Sequence, residues 1–342
     1  MLALVDVEKL IPKDHPVRDI KRLADAALKE LSRSLTAMYG KTGRPSVPPE
    51  RLLKGMLLLA LYSIRSETQF CEQLRYNFLF RWFLDMDMAE EPFDHCAFSD
   101  NRTRFIAHDV AGKFFRKIVK QAQAARLMSS EHFSVDGTLI EAWASMKSFR
   151  PKNDDGGDSN GWSDFRGHKR KNDTHASKTD PEAKLMRKGK GKEAKLSYGG
   201  HALTENRNGL LVEVAVTEAN GTCEREAGLD MLDASVEGPA TLGADSAYDT
   251  KAFVAECRAR GVTPHVAQKK NSAIDCRTTR HPGYQASQKV RKRIEQVFGW
   301  MKTIGGLRKT RYKGRAKTEL YATMAGAAYN LLRIAKLMGA PA

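Results

Sequence analysis

Three carboxylates stand where chemistry could be done. Asp136 interrupts the apolar, β-branched run 132–140, Asp245 follows the run 240–244 and precedes Ser246-Ala-Tyr-Asp-Thr250, and Glu295 lies among Lys289, Arg291, Lys292 and Arg293. A carboxylate inside a strand is expensive to bury unless it is paired or bound to metal. Oxygen-only ligation suits Mg²⁺ or Mn²⁺, and three carboxylates are enough to hold two such ions roughly 3.5–4 Å apart, with water and phosphate oxygens completing the octahedra. Such a pair supports in-line displacement at phosphorus, one ion activating the attacking oxygen and the other stabilising the leaving one. Arg291, Glu295, Phe298 and Lys302 fall at i, i+4, i+7 and i+11, which stacks two cations and the acid along one face of a helix. Arg308, Lys309 and Arg311 continue the basic surface, with Tyr312 interleaved. An aspartate after a strand is also a common turn residue and a basic run is also a solvated face, so each signal takes its meaning from the others.

The elements that must position these groups are legible in outline. Residues 17–126 have a helical pattern, broken at Gly43-Arg-Pro-Ser-Val-Pro-Pro49, and Leu52, Leu53, Met56, Leu57, Leu59, Ala60 and Ile64 cover most of one helix, as in a buried core helix. Phe70, Tyr76, Phe78, Phe80, Trp82 and Phe83 then alternate with Arg75 and Arg81, which fits either a core with a basic rim or a surface for DNA ends or a second subunit. The character changes near residue 129, so the expected division is an all-α N-terminal domain over 1–128 and a second domain over 129–342. A strand at 132–140 is followed by a segment poor in apolar residues, about 147–195, expected to be a mobile basic loop. Strands at 195–203 and 210–217 read as a hairpin around Glu205-Asn-Arg-Asn-Gly209. Helix 224–234, strand 240–245, helix 250–260, strand 263–267 and a single basic helix from 287 to about 304 complete a β-β-β-α-β-α-β-α order. That order is ribonuclease-H-like: a mixed five-stranded sheet with flanking helices, in which acids from strand ends and one helix converge.

Composition narrows the partner. Among 342 residues, 57 Lys and Arg oppose 41 Asp and Glu, a formal charge of +16 that favours a polyanion. The longest apolar stretch, 56–62, is too short to cross a bilayer, and the acidic N-terminus does not read as a secretory signal, so a cytoplasmic protein without membrane partners is expected. Five scattered cysteines without C-x-x-C spacing argue against a disulfide framework or a structural zinc site. Asp154-Asp-Gly-Gly-Asp158 lacks EF-hand spacing, Gly189-Lys-Gly-Lys192 lacks the phosphate-loop pattern, and the nine histidines show no H-x-x-x-H pair. His201 and His265 read as core or rim residues, whereas Glu141 and Asp249 lie close enough to the proposed ligands to replace one.

Three blocks, 132–152, 243–250 and 291–302, resemble the catalytic blocks of the insertion sequence 5 family of bacterial DDE transposases, and 43–54 through 76–83 resembles the N-terminal helical domain of the same proteins. The resemblance implies that Asp136, Asp245 and Glu295 are the D, D and E of a triad holding two Mg²⁺ or Mn²⁺ ions. In the related signature Y-x2-R-x3-E-x6-K, Arg291, Glu295 and Lys302 keep the spacing, but Gln288 stands where tyrosine is expected. It further implies a transposase that binds terminal inverted repeats, cleaves double-stranded DNA and joins the 3′-OH ends to target DNA. Arg291, Lys292, Lys302, Arg308, Lys309 and Arg311 would contact DNA, and Trp300 would either pack in the core or stack on an unpaired base. A homodimer or larger synaptic complex, no small-molecule cofactor and a nucleoid-associated location complete the expectation. A regulator derived from a transposase and a nuclease without strand transfer are the rival readings.

Overall fold

The computed structural model describes residues 6–40, 46–152, 170–189 and 191–339. Its first part is helical: α1 (Val7–Leu10), α2 (Val17–Thr36), α3 (Pro49–Leu61), α4 (Glu67–Gln73), α5 (Phe78–Phe83), α6 (Cys96–Ala107) and α7 (Val110–Ala124). Ile20, Leu23, Ala24, Ala27, Leu28, Leu31 and Leu35 recur at three- and four-residue steps and bury one face of α2. Helix α3 opens on Pro49, where the missing N–H loses no intrahelical bond, and is buried nearly all round. Phe70, Phe80 and Phe83 belong to the core, while Tyr76 and Phe78 are exposed. Arg81 is buried, donating to the carbonyls of Leu74 and Asp87, so it is a structural residue and not part of a basic rim.

The second part is built on β1 (His132–Glu141), β2 (Phe149–Pro151), β3 (His175–Ser177), β4 (Lys184–Arg187), β5 (Ala194–Glu205), β6 (Leu211–Glu218), β7 (Ala240–Ala244) and β8 (Val262–Val266). Strand β1 is central, antiparallel to β5 and parallel to β7; β7 is parallel to β8, and β6 pairs antiparallel with β5. These are the five expected strands in the ribonuclease-H-like arrangement. Helices α8 (Cys223–Ser235) and α9 (Lys251–Ala259) alternate with the later strands. The β5–β6 hairpin turns around the buried Glu205, whose carboxylate accepts N–H bonds from Ser129 (3.0 Å), Arg207 (2.7 Å), Asn208 (2.8 Å) and Leu210 (2.9 Å).

Two expectations need correction. The described parts of segment 147–195 are not a structureless loop: β2 and β3 form a small ribbon, and β4 adds a sixth strand along Ala194–Ser197 of β5, beyond the end of β6. A few buried groups anchor it, chiefly Phe149, Ala183 and the Asp180 carboxylate, which accepts the Tyr198 hydroxyl at 2.6 Å. Polar composition hid these anchors. The Asp154–Asp158 run lies outside the described residues. The basic helix is also two helices, α11 (Pro282–Val290) and α12 (Arg293–Thr303), preceded by the short α10 (Cys276–Arg280).

The last helix, α13 (Arg315–Gly339), packs on α7 and α3 as well as on β6. Asn330, fully buried, donates to the Leu211 carbonyl at 2.8 Å and accepts its N–H at 2.9 Å, which ties the helix to the start of β6. A Cβ at Gly326 would lie 3.0 Å from Val214 Cγ2, so the small residue sets that close approach. No helix among the described residues is long and apolar enough to cross a membrane, and all five cysteines are free thiols.

Replacing Glu205 by alanine strands several buried amides and should destabilise the fold by about 3 kcal/mol, read as a lower urea midpoint; an unchanged midpoint would mean that the hairpin amides find other partners.

Candidate active site

Strand β1 carries Asp136 in its middle and β7 delivers Asp245 just past its end. Ser134 pairs with Gly243 in the parallel register, and the same register carried two residues further sets Asp136 beside Asp245. Asp245 is held by capping the turn that follows it, accepting the Ala247 N–H at 2.7 Å. A third acid, not singled out in the sequence, arrives from the expected helix α8. Glu224, in the first turn of α8, lies over Gly137, where a Cβ would come within 2.6 Å of the Glu224 Cγ. The neighbouring Arg225 donates to the Ala247 carbonyl at 3.3 Å, fixing the start of α8 against the turn that carries Asp245.

The electrostatics of this cluster are unfavourable without a cation. Burial, reinforced by the negative charges of Asp245 and Glu224, pushes Asp136 up to about 7, against the opposing pull of the Gly137 N–H and Arg291. Burial and Asp245 likewise raise Glu224. Tyr248 is fully buried and its hydroxyl has no hydrogen-bond partner; burial, then Glu224, Asp136 and Asp245, raise it well above its ordinary range. Gly137 is the sequence signal that could have led to Glu224, since a glycine inside a strand often marks the close approach of another group.

The cations come from the α12 side of β1, the face that also carries the Asp136 side chain. Side chains alternate along the strand, so Val135 meets α8 while Thr138 faces α12 and accepts a hydrogen bond from Lys302 Nζ. Burial, with Lys188 and Arg308 nearby, lowers the Lys302 ammonium below its usual value, which Asp136 partly offsets. Arg291 sits at the junction of α11 and α12, where the Ile294 and Glu295 N–H groups donate to carbonyls three residues back, at 3.1 Å each. Its Cβ lies 3.3 Å from the position a Cβ would take at Gly243, so it is pinned over β7. Gln288 accounts for part of this placement: its Oε1 accepts from Arg291 Nε at 2.8 Å and its Nε2 donates to the His265 carbonyl on β8. The side chain at the tyrosine position therefore ties the arginine to the sheet.

The other expected residues divide clearly. Glu295 is exposed and its carboxylate bonds to no described residue. Lys292, Arg308 and Lys309 are exposed, Lys309 lying 3.4 Å from Glu141. Arg311 must be removed from the DNA-binding set: it stacks over Tyr321 at 5.0 Å and donates to the Ile64 carbonyl at 2.9 Å. Tyr312 is buried, bonded to Glu67 at 2.9 Å and covered by Arg102, so it tracks no strand of DNA. Glu141 is held by Lys195 and Lys309, and Asp249 accepts the N–H groups of Lys269 and Ala273 at 2.8 Å each, so both are structural. His201, lowered to about 4 by burial, and His265 are core histidines bonded to Thr217 and Ser287. Trp300 packs edge-on against Tyr329, 5.6 Å between centroids.

The donor set fits a hard divalent cation. Half-buried carboxylates, of which Asp136 and Glu224 are raised, and a buried hydroxyl without a partner are the groups that such an ion and its waters would satisfy. Among the described residues, one set of three potential ligands has atoms within 4.8 Å of one another: Asp94, His95 and Cys96, exposed neighbours at the start of α6, where Asp94 accepts the Cys96 N–H. Neither Glu295 nor Glu224 draws that close to both Asp136 and Asp245.

A ribonuclease-H-like sheet carrying acids at β1 and β7 defines a class of metal-dependent enzymes that act on phosphodiesters. Residues 130–331, more than half of the chain, match the family model described as Transposase DDE domain, and residues 5–104 match one described as Transposase domain (DUF772). The chain belongs to the DDE transposases, and this pairing of domains is typical of the insertion sequence 5-like members that its catalytic blocks resemble. It is thus a DNA-cleaving, strand-transferring enzyme dependent on a divalent metal. No curated protein matches the chain in sequence. Among solved structures it is similar to a piggyBac transposase synaptic complex with hairpin DNA, at 8% identity over 98% of this chain and 76% of that one with a TM-score of 0.44. A Mos1 transposase paired-end complex with the left transposon end is similar at 9% identity over 78% and 81%, with a TM-score of 0.21.

A carboxyl raised in the folded state contributes stability that is complete below its unfolded value of about 3.9 and is lost as pH rises through its folded value. The metal-free protein should therefore lose thermal stability between about pH 4 and 7. Asp136→Asn should flatten that limb of the profile, and superimposable wild-type and variant profiles would contradict the assignment.

Proposed function

We propose that this transposase binds the terminal inverted repeats of its own element, hydrolyses the phosphodiester at each 3′ end and joins the freed 3′-OH to target DNA at one active site. The observation that carries this reading is the pairing of Asp136 and Asp245 at the sheet centre with Arg291 and Lys302 alongside. Asp136, Asp245 and, from α12, Glu295 would hold two Mg²⁺ or Mn²⁺ ions. When bound, the ions would activate the attacking oxygen and stabilise the leaving one.

The protein's own residues do the rest. Lys302, anchored on Thr138, and Arg291, anchored through Gln288, place positive charge beside the carboxylates, where a DNA phosphate must lie for in-line attack. Exposed Lys292, Arg308 and Lys309 extend the track for the DNA backbone. One site serves both steps because water and a 3′-OH attack phosphorus in the same geometry, so no covalent enzyme intermediate is needed. Two element ends require a dimer or larger synaptic assembly, with the helical part over 1–128 engaging the ends.

The test is incubation with Mg²⁺ or Mn²⁺, labelled DNA carrying the element's inverted repeats and a target plasmid. Wild type should give joined products. Asp136→Ala, Asp245→Ala and Glu295→Ala should each lose at least about a hundredfold in cleavage while binding DNA nearly as well. Cleavage without joining would identify a nuclease, binding without either reaction a regulator, and full activity in one variant would remove that acid from the site. Lys302→Ala should instead weaken end binding, and unchanged binding and activity would return Lys302 to a solvated role.

A further inference from the structure

We infer that Glu224 is a further ligand of the divalent-metal site, a fourth carboxylate supplied from α8, and that the Tyr248 hydroxyl is the positioning group that orients it. The inference rests on the metal-dependent reading above and adds residues that the triad does not contain.

Two independent observations carry it. The first is the approach of Glu224: its Cγ and Oε1 lie 2.6 and 2.8 Å from where a Gly137 Cβ would stand, so the strand is bare at the residue after Asp136 and the carboxylate occupies the space. Arg225 locks this placement by its bond to Ala247, two residues after Asp245. Glu224 makes no hydrogen bond or ion pair through its carboxylate with any described residue, although it is half-buried. An ordinary first-turn acid that only complements a helix N-terminus would sit in solvent. The second is Tyr248, fully buried, with a hydroxyl that has no partner. Its ring lies against Gly228, one turn along α8 from Glu224, and its backbone N–H reaches the Asp245 carbonyl at 3.3 Å, so the tyrosine bridges α8 and the turn after β7, with its hydroxyl in electrostatic reach of all three acids. A buried donor is rarely left unsatisfied. A carboxylate oxygen drawn in between α8 and this turn when a cation binds would give it an acceptor.

The closing experiment measures Mn²⁺ binding to the full chain, with and without duplex DNA, by the electron paramagnetic resonance signal of free Mn²⁺, alongside thermal midpoints in EDTA and in Mn²⁺. Glu224→Gln should weaken Mn²⁺ binding at least about tenfold and raise the midpoint in EDTA, because a like charge leaves the cluster. Tyr248→Phe should keep or raise the midpoint in EDTA, since an orphaned hydroxyl is lost, yet reduce the stabilisation by Mn²⁺. A purely structural tyrosine would lower both midpoints equally. Wild-type Mn²⁺ affinity in Glu224→Gln, with affinity lost in Asp136→Asn, would overturn this inference and leave the wider reading standing. If wild type and Asp136→Asn bind Mn²⁺ equally, the wider reading falls and this inference with it.

Discussion

The structure depends on one electrostatic constraint: carboxylates are held together in the middle of a β-sheet, where burial and mutual repulsion both oppose their charge. Asp136 feels this most, being raised to about 7. Around it the chain makes local concessions that ordinary packing does not explain. Gly137 leaves a gap in the strand, Tyr248 keeps a hydroxyl without a partner, and the start of α8 is tied to the turn after β7. A divalent cation bound there, as proposed, would screen the acids and order donors and acceptors between them.

The α12 side of β1, which Asp136 shares with Thr138, supplies the complementary charge. Lys302 rests on Thr138, and Arg291 is fixed by Gln288 and by the bare backbone of Gly243. Further out, the segment after α12 joins the sheet to the N-terminal helices. Arg311 bonds to Ile64 and Tyr312 to Glu67, while α13 packs on α3, α7 and β6, so one hydrophobic core runs through both parts of the chain. Any end-binding surface on the helices is therefore connected to the carboxylates through packed side chains.

Much of this was legible in the residues. The single acid inside an alternating apolar strand located β1 and Asp136, and the hairpin was marked by Glu205 to Gly209 because turn chemistry is local. What escaped depends on tertiary placement. Strand β4 was hidden because its partners, the first four residues of β5, come later in the chain and its own composition is polar. The break between α11 and α12 leaves no mark in the periodicity, since Arg291 and Lys292 keep helical dihedrals and only the hydrogen-bond step changes. Arg311 has the charge of a DNA contact but the surroundings of a packing residue, and charge alone does not distinguish the two. Glu224 shares the first turn of α8 with Glu226, and what sets it apart is its approach to Gly137, which the sequence does not display.

The central claim, that Asp136 and Asp245 form a metal site, is tested most directly by anomalous diffraction from a crystal of the full chain soaked in Mn²⁺. The account predicts an anomalous peak between the two carboxylates, at about 2.1–2.2 Å from an oxygen of each. A peak at Asp94, His95 and Cys96 with none between Asp136 and Asp245 would contradict it.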